Sequence, residues 1–189
     1  EQLKDVPYYR PPEDSSELQY LRQRRERLGG FMPQRLLDQQ SLTIPELSVF
    51  KAQLEGSGKR EISSTMAFVR ILATLLRDKN LGERVVPIVP DEARTFGMEG
   101  MFRQLGIYSS EGQLYEPEDS GELAAYKESK SGQVLEEGIN EAGAFAAWMA
   151  AATAYSTHQY TLLPFYIYYS MFGFQRIGDL AWAAGDLQA

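Results

Sequence analysis

The sequence predicts an α/β fold, a mostly parallel sheet with helices on both faces, preceded by an extended N-terminal arm. Three observations point there. Strand-like and helix-like stretches alternate from Glu61 onward. "VVPIV" and "TLLPFYIYY" are too apolar on both faces for a half-solvated sheet, which suits parallel strands covered on each side. The stretches between them carry apolar residues at helical spacing.

The first 60 residues read as an arm or linker, and 61–189 as the α/β domain. The arm is punctuated by Pro7, Pro11, Pro12, Pro33 and Pro45. Between them "SELQYLRQRRERLGG" is a basic helix ended by Gly29 and Gly30. Its arginines suit either a solvated face near a subunit contact or an anion.

In "SSTMAFVRILATLLRDK" a cap at Ser63, Ser64 or Thr65 starts a helix with Phe68, Val69, Leu72, Leu75 and Leu76 on one stripe. This helix should stop near Asn80 and Gly82. "VVPIV" is a short strand in which Pro87 confines full ladder pairing to one side. "GMFRQLGI" is a short helix, and 109–132 form a solvated, acidic, Ser/Gly-rich excursion. "QVLEE" is a brief strand, Ile139 to Ser156 a buried helix, and "TLLPFYIYY" an aromatic strand. The last helix has Phe174, Ile177, Leu180, Ala181 and Ala184 at helical spacing.

Composition narrows the chemistry. With 189 residues, 43% hydrophobic and 12% aromatic, the chain can bury one core. A formal charge of -7 repels nucleic acid and anionic membranes. The absence of cysteine excludes disulfides, thiolate nucleophiles and Cys-ligated metals. The single histidine, His158, lies in polar "STHQY" and reads as a solvated loop residue rather than a triad member. No secretory signal opens the chain, and "AGAFAAWMAAATAY" is shorter than the roughly 20 residues of a membrane span. A cytoplasmic protein is expected. The ends "EQLK" and "GDLQA" read as cuts in a longer polypeptide.

In a parallel sheet all strands end at one edge, and ligands bind in the crevice beyond it. Three groups follow strands directly: Asp91, Glu92 and Arg94; then Glu141; then Tyr169 with Phe172. They should converge. Each group also has a plain structural reading. Glu136, Glu137 and Glu141 can complement a helix dipole, Asp91, Glu92 and Arg94 can be a loop ion pair, and the aromatics can be core. No Gly-rich phosphate loop is present.

The strings "PDEARTFGMEGMFRQLGIYS", "EEGINEAGAFAAW", "ATAYST" and "PFYIYYSMFGFQRIGDLAWAAGD" resemble homodimeric bacterial pyruvate dehydrogenase, the thiamine-diphosphate-dependent component of its complex. The resemblance runs from about Pro7 to Ala189, and covers only the middle of the family chain. It implies that 1–60 end the preceding domain, and that 61–189 form most of the pyrimidine-binding domain, incomplete at its C-terminal end. It places on Glu141 the glutamate that bonds the pyrimidine, and on Phe172 the aromatic stacked on it. It puts Asp91 and Glu92 in an acidic active-centre cluster, with Tyr169 and Arg176 on the substrate side.

The chemistry implied is decarboxylation of pyruvate and transfer of the acetyl group to the lipoyl domain of the acetyltransferase component. The cofactor's own amino group, in its imino form, deprotonates the thiazolium carbon, and a carboxyl must exchange a proton with the far ring nitrogen. An apolar pocket of Ala142, Gly143, Ala144 and Phe145 is expected to raise the pKa of Glu141 for that purpose. The family holds Mg2+ with a "GDG" motif and later asparagines. Here "GDL" occurs twice and "GDG" never, so the metal half is expected outside this chain, and the chain alone should be inactive. Another thiamine enzyme such as transketolase, or a non-catalytic interaction module of the same fold, are the alternatives.

Overall fold

A computed structural model describes residues 10–32, 35–36, 41–122 and 125–189, apart from the side chain of Ser170. Pro7 and Pro33 lie outside the described residues. The chain divides into two compact units, Glu1–Leu36 and Leu37–Ala189.

In the first unit, α1 spans Ser16–Arg27. The Ser15 hydroxyl accepts from the Leu18 N–H at 3.4 Å and caps it, with Glu17 in the first turn and Arg24, Arg25 and Arg27 in the last. Gly29 and Gly30 end it with φ of 90° and 109°, a backbone only glycine adopts freely. No residue of α1 is buried; Arg22 pairs with Glu13, and Arg25 donates to the Phe31 carbonyl at 2.6 Å.

In the second unit a 3-10 turn at Leu47–Phe50 and a one-turn α2, Lys51–Leu54, precede α3, Ser64–Leu76. Ser63 caps α3 by accepting from the Met66 N–H at 3.1 Å. Val69, Leu72 and Leu76 are buried, with Phe68 and Leu75 partly so, which is the predicted stripe. The helix stops at Leu76, short of the predicted end. Asp78 Oδ1 accepts from the N–H groups of Asn80 and Leu81, at 2.8 and 2.9 Å, and this side-chain turn replaces another helical turn.

Strand β1, Val85–Val89, is the centre of a three-stranded parallel sheet. It is flanked by β4, Leu135–Glu136, and β5, Leu163–Tyr166. Pro87 acts as predicted. Val85 to Ile88 are in register with Leu163 to Tyr166 on one side, whereas β4 pairs only at Ile88 and Val89, beyond the proline. The Gln133 amide supplies a missing bond on that side by donating to the Val85 carbonyl at 2.7 Å.

Side chains alternate across the sheet. Val85, Val89 and Ile167 pack with α3 and with Met101 and Phe102 of α4, Glu99–Leu105. On the other face Tyr166 packs with α5, Glu141–Ala152, and α7, Ser170–Asp186. Helices therefore cover both faces, as the sequence predicts. After α5 the chain breaks at Thr153 and resumes as a short α6, Ala154–Thr157. His158 is exposed.

Three expectations need correcting. Residues 109–132 are not merely a solvated excursion, because β3, Glu128–Ser129, pairs in parallel with β2, Ile107–Tyr108. Tyr126 anchors the segment with its ring edge-on to Phe102, centroids 5.6 Å apart. Secondly, α5 is not buried throughout: Ala144 and Phe145 are, while Ala142, Ala146 and Ala150 are exposed. Phe145, with Trp148 and Met149, seats one face of α5 on its neighbours, and the exposed alanines make up the other. Thirdly, Phe174 is 54% exposed, while Ile177 and Ala184 carry the buried stripe of α7.

Candidate active site

The three strands β4, β1 and β5 release their loops at one edge, and backbone bonds tie these loops together. The N–H groups of Glu137, Asn140 and Ile167 donate to the carbonyls of Val89, Pro90 and Ile88, each at 2.9 Å. Beyond them lies a hollow of about 220 Å³ lined by Asp91, Ile139, Glu141, Tyr168, Tyr169, Phe172 and Arg176, among others. Asp91 comes from the loop after β1, Ile139 and Glu141 follow β4, and the remainder follow β5.

Glu141 is the first residue of α5. The Asn140 side chain caps the helix by accepting from the Gly143 N–H at 3.0 Å. A Cβ at Gly143 would stand 2.4 Å from that cap's amide nitrogen, so the cap needs the glycine. The positive end of the helix and the Arg176 guanidinium both favour an ionised Glu141. The side chain is 18% exposed and ion-pairs with Arg176. Arg176 first, then the residue's own backbone N–H, hold the carboxyl below the usual glutamate range, while burial pulls it upward. The expected rise in pKa is therefore absent from this chain. Arginine supplies a counter-charge, and Ala142, part of the supposed dry pocket, is exposed.

Gly138 and Ile139 both adopt positive φ, 63° and 45°. For a β-branched residue this is strained backbone, of a kind that gathers at functional sites. It turns Ile139 outward over the hollow, 77% exposed. Phe172, in the first turn of α7, is 63% exposed and faces the same space. Tyr169 stacks on Phe96, with ring centroids 4.6 Å apart.

Tyr168 packs against the backbone of α7 at Gly173, where an added Cβ would lie 2.3 Å from the ring. Gly173→Ala should therefore displace Tyr168 and destabilise the chain by about 1–3 kcal/mol. A thermal midpoint unchanged from wild type would show that the contact yields at no cost.

The convergence is incomplete. Glu92 is exposed and does not line the hollow. Arg94 lines a neighbouring cavity of about 580 Å³ with Ser63, Thr65 and Thr95, and it ion-pairs with Asp119 and with Glu122, the latter at 3.5 Å. Arg94 lies in the short 3-10 turn Ala93–Phe96, and Glu92 immediately precedes it in extended backbone. Tyr168 and Tyr169 border both cavities. A larger cavity of about 730 Å³, lined by Arg103, Tyr115, Tyr126 and Lys127 among others, takes no residue from the strand ends.

Sequence reasoning missed two features of this edge. Glu136 ends β4, the strand predicted at "QVLEE", but the sequence reads it only as a helix-dipole partner and not as a buried carboxylate. Its Oε1 accepts from the Ala93 N–H at 3.2 Å, while its buried Oε2 has no partner. Burial, and secondarily Glu92, Glu128 and Asp91, push its carboxyl up. The signal available was its place at a strand's carboxyl end. Tyr166 was read only as strand, yet its hydroxyl donates to the Glu141 carbonyl at 3.4 Å. Burial, then Glu141 and Tyr168, push that hydroxyl up to about 12.

The family described as "Pyruvate dehydrogenase E1 component middle domain" matches residues 42–189. This chain belongs to that family. The E1 component of Pseudomonas aeruginosa is 66% identical over 187 residues, 99% of this chain and 21% of that protein. The E1 components of Cupriavidus necator and Escherichia coli K12 are 62% and 55% identical, each again with 21% of its length covered. This E1 middle-domain chain thus spans about a fifth of the curated relatives it matches. Among the described residues no helix is long and apolar enough to cross a membrane.

Proposed function

We propose that this chain supplies the pyrimidine-binding half of the thiamine diphosphate site in a full-length pyruvate dehydrogenase E1 component. The whole enzyme decarboxylates pyruvate and reductively acetylates the lipoyl group of the acetyltransferase component, as a homodimer. Residues 61–189 carry the site and 1–60 precede it as a linker. One observation carries the reading: a seated carboxylate, Glu141, and an open aromatic face, Phe172, border one small hollow at the carboxyl edge of a parallel sheet.

The donor set fits a flat heteroaromatic ring with an N–H to offer. It does not fit the metal. Among the described residues no group of three or more His, Cys, Asp or Glu is arranged to hold an ion, and Mg2+ is assigned to the rest of the full-length enzyme because the family's "GDG" motif does not occur in this sequence. Thiamine diphosphate, when bound, supplies the electron sink that accepts the electron pair left as carbon dioxide departs. Glu141 receives and returns a proton at the ring nitrogen. A ring closing the hollow excludes water from the carboxyl, which raises its pKa toward a value suited to sharing that proton. Phe172 supports the ring by stacking, Asp91 adds negative charge beside the entrance, and Tyr169, stacked on Phe96, presents its hydroxyl to the substrate side.

The test is thiamine diphosphate affinity in the full-length enzyme. Phe172→Ala should weaken binding about three- to tenfold, the range of an aromatic stacking contact. The rate at saturating cofactor should fall less, because stacking acts on the bound ground state as well as the transition state. Unchanged affinity would assign Phe172 to the exposed surface and sink the reading.

A further inference from the structure

Phe172 and Arg176 stand four residues apart on α7, so they leave one face of the helix. Both line the hollow that Glu141 borders. The Arg176 guanidinium crosses it to bond Glu141 Oε1. The arginine side chain is 57% exposed and the glutamate 18%, so the acid is seated while the arginine borders solvent. Among the described residues no other Lys, Arg or His lines the hollow. The remaining titratable groups around Glu141 are Asp91 beyond β1, Tyr166 in β5, and Tyr168 and Tyr169 after it.

A guanidinium is a flat cation whose N–H donors lie in its plane. A protonated aminopyrimidine is also flat, cationic and N–H donating. The slot that would let such a ring touch Phe172 and bond Glu141 is the one the guanidinium crosses. Two cations against one carboxylate in a hollow of about 220 Å³ repel each other, so they exclude one another.

We propose that Arg176 is a resident stand-in for the pyrimidine. In the cofactor-free protein it keeps Glu141 ionised and oriented, and the incoming ring displaces it to solvent. This rests on the hollow being the pyrimidine site. Arg176 is then a positioning residue of the resting state, and its pairing opposes cofactor binding by the strength of a part-exposed ion pair.

The experiment is equilibrium titration of the full-length enzyme with thiamine diphosphate and Mg2+, without substrate. Arg176→Met should tighten binding about two- to fivefold, the range of such a pair. In a Glu141→Gln background the same change should have no effect. Methylguanidinium at millimolar concentration should weaken cofactor binding to R176M, and an equal concentration of sodium chloride should not. Weaker or unchanged binding to R176M, the same tightening without Glu141, or no competition by methylguanidinium would each overturn the proposal. If Phe172→Ala leaves affinity unaltered, the site reading falls and this inference with it. If Phe172→Ala weakens binding while R176M fails to tighten it, only the role of Arg176 falls.

Discussion

Glu141→Gln in the full-length enzyme should lower the rate of pyruvate decarboxylation about 100-fold or more, the range of general acid–base contributions. That corresponds to about 2.7 kcal/mol of barrier. The substitution preserves size and keeps an oxygen acceptor in the hollow. It removes the group that can take up and return a proton. The fold should survive it. Asn140, not Glu141, caps α5, and the ion pair lost has an exposed arginine on one side, so stability should change by at most about 1 kcal/mol. The rate is to be measured at saturating pyruvate and thiamine diphosphate, with circular dichroism as the control for folding. A loss under tenfold with cofactor bound would remove the proton-transfer role from Glu141.

Phe102→Ala in the 189-residue chain should destabilise it by about 3–5 kcal/mol, the usual result of truncating a fully buried aromatic. Phe102 is 0% exposed, and it sits where α4 meets the sheet core and the 109–132 segment. Its removal leaves a cavity and strips Tyr126 of its ring partner. Urea unfolding gives the magnitude. Amide hydrogen exchange gives the location: the Ile107 and Ser109 amides, bonded to Lys127 and Ser129 at 2.8 and 3.0 Å, should lose protection first. A loss below about 1.5 kcal/mol would mean that the site collapses around the gap and that Phe102 is not the anchor.

How much of this was legible depended on contrast in the sequence. The α3 stripe was readable because Phe68, Val69, Leu72, Leu75 and Leu76 recur at helical spacing behind the Ser63 cap. β1 was readable because a short apolar run ends at Pro90 and Asp91. On α5 the apolar residues surround the helix, so periodicity could not say which face turns inward, whereas on α7 it found Ile177, Leu180, Ala181 and Ala184 and erred only at Phe174. Contact with Tyr166 and Trp148 decides it: Phe145 is buried against both, whereas Phe174 and Trp182, at 54% and 80% exposure, point outward. The strand Glu128–Ser129 was invisible because its pairing is made by backbone atoms and its residues are polar.

The candidate site divides in the same way. That Asp91, Glu141, Tyr169 and Phe172 share one edge followed from strand order and the parallel rule. Arg176 was implied only by the family resemblance, and these five line one hollow. That Glu92 and Arg94 turn aside did not follow, because no apolar pattern marks the one-turn 3-10 segment there. Sequence alone determined the main helices and the three strands of the central sheet, their α/β alternation and the edge at which chemistry-bearing residues collect, since these depend on local propensity and connectivity. Tertiary structure alone decided which counter-charge Glu141 faces. An arginine 35 residues away closes on it, and an electrostatic contact is a matter of distance in space, which no local pattern encodes.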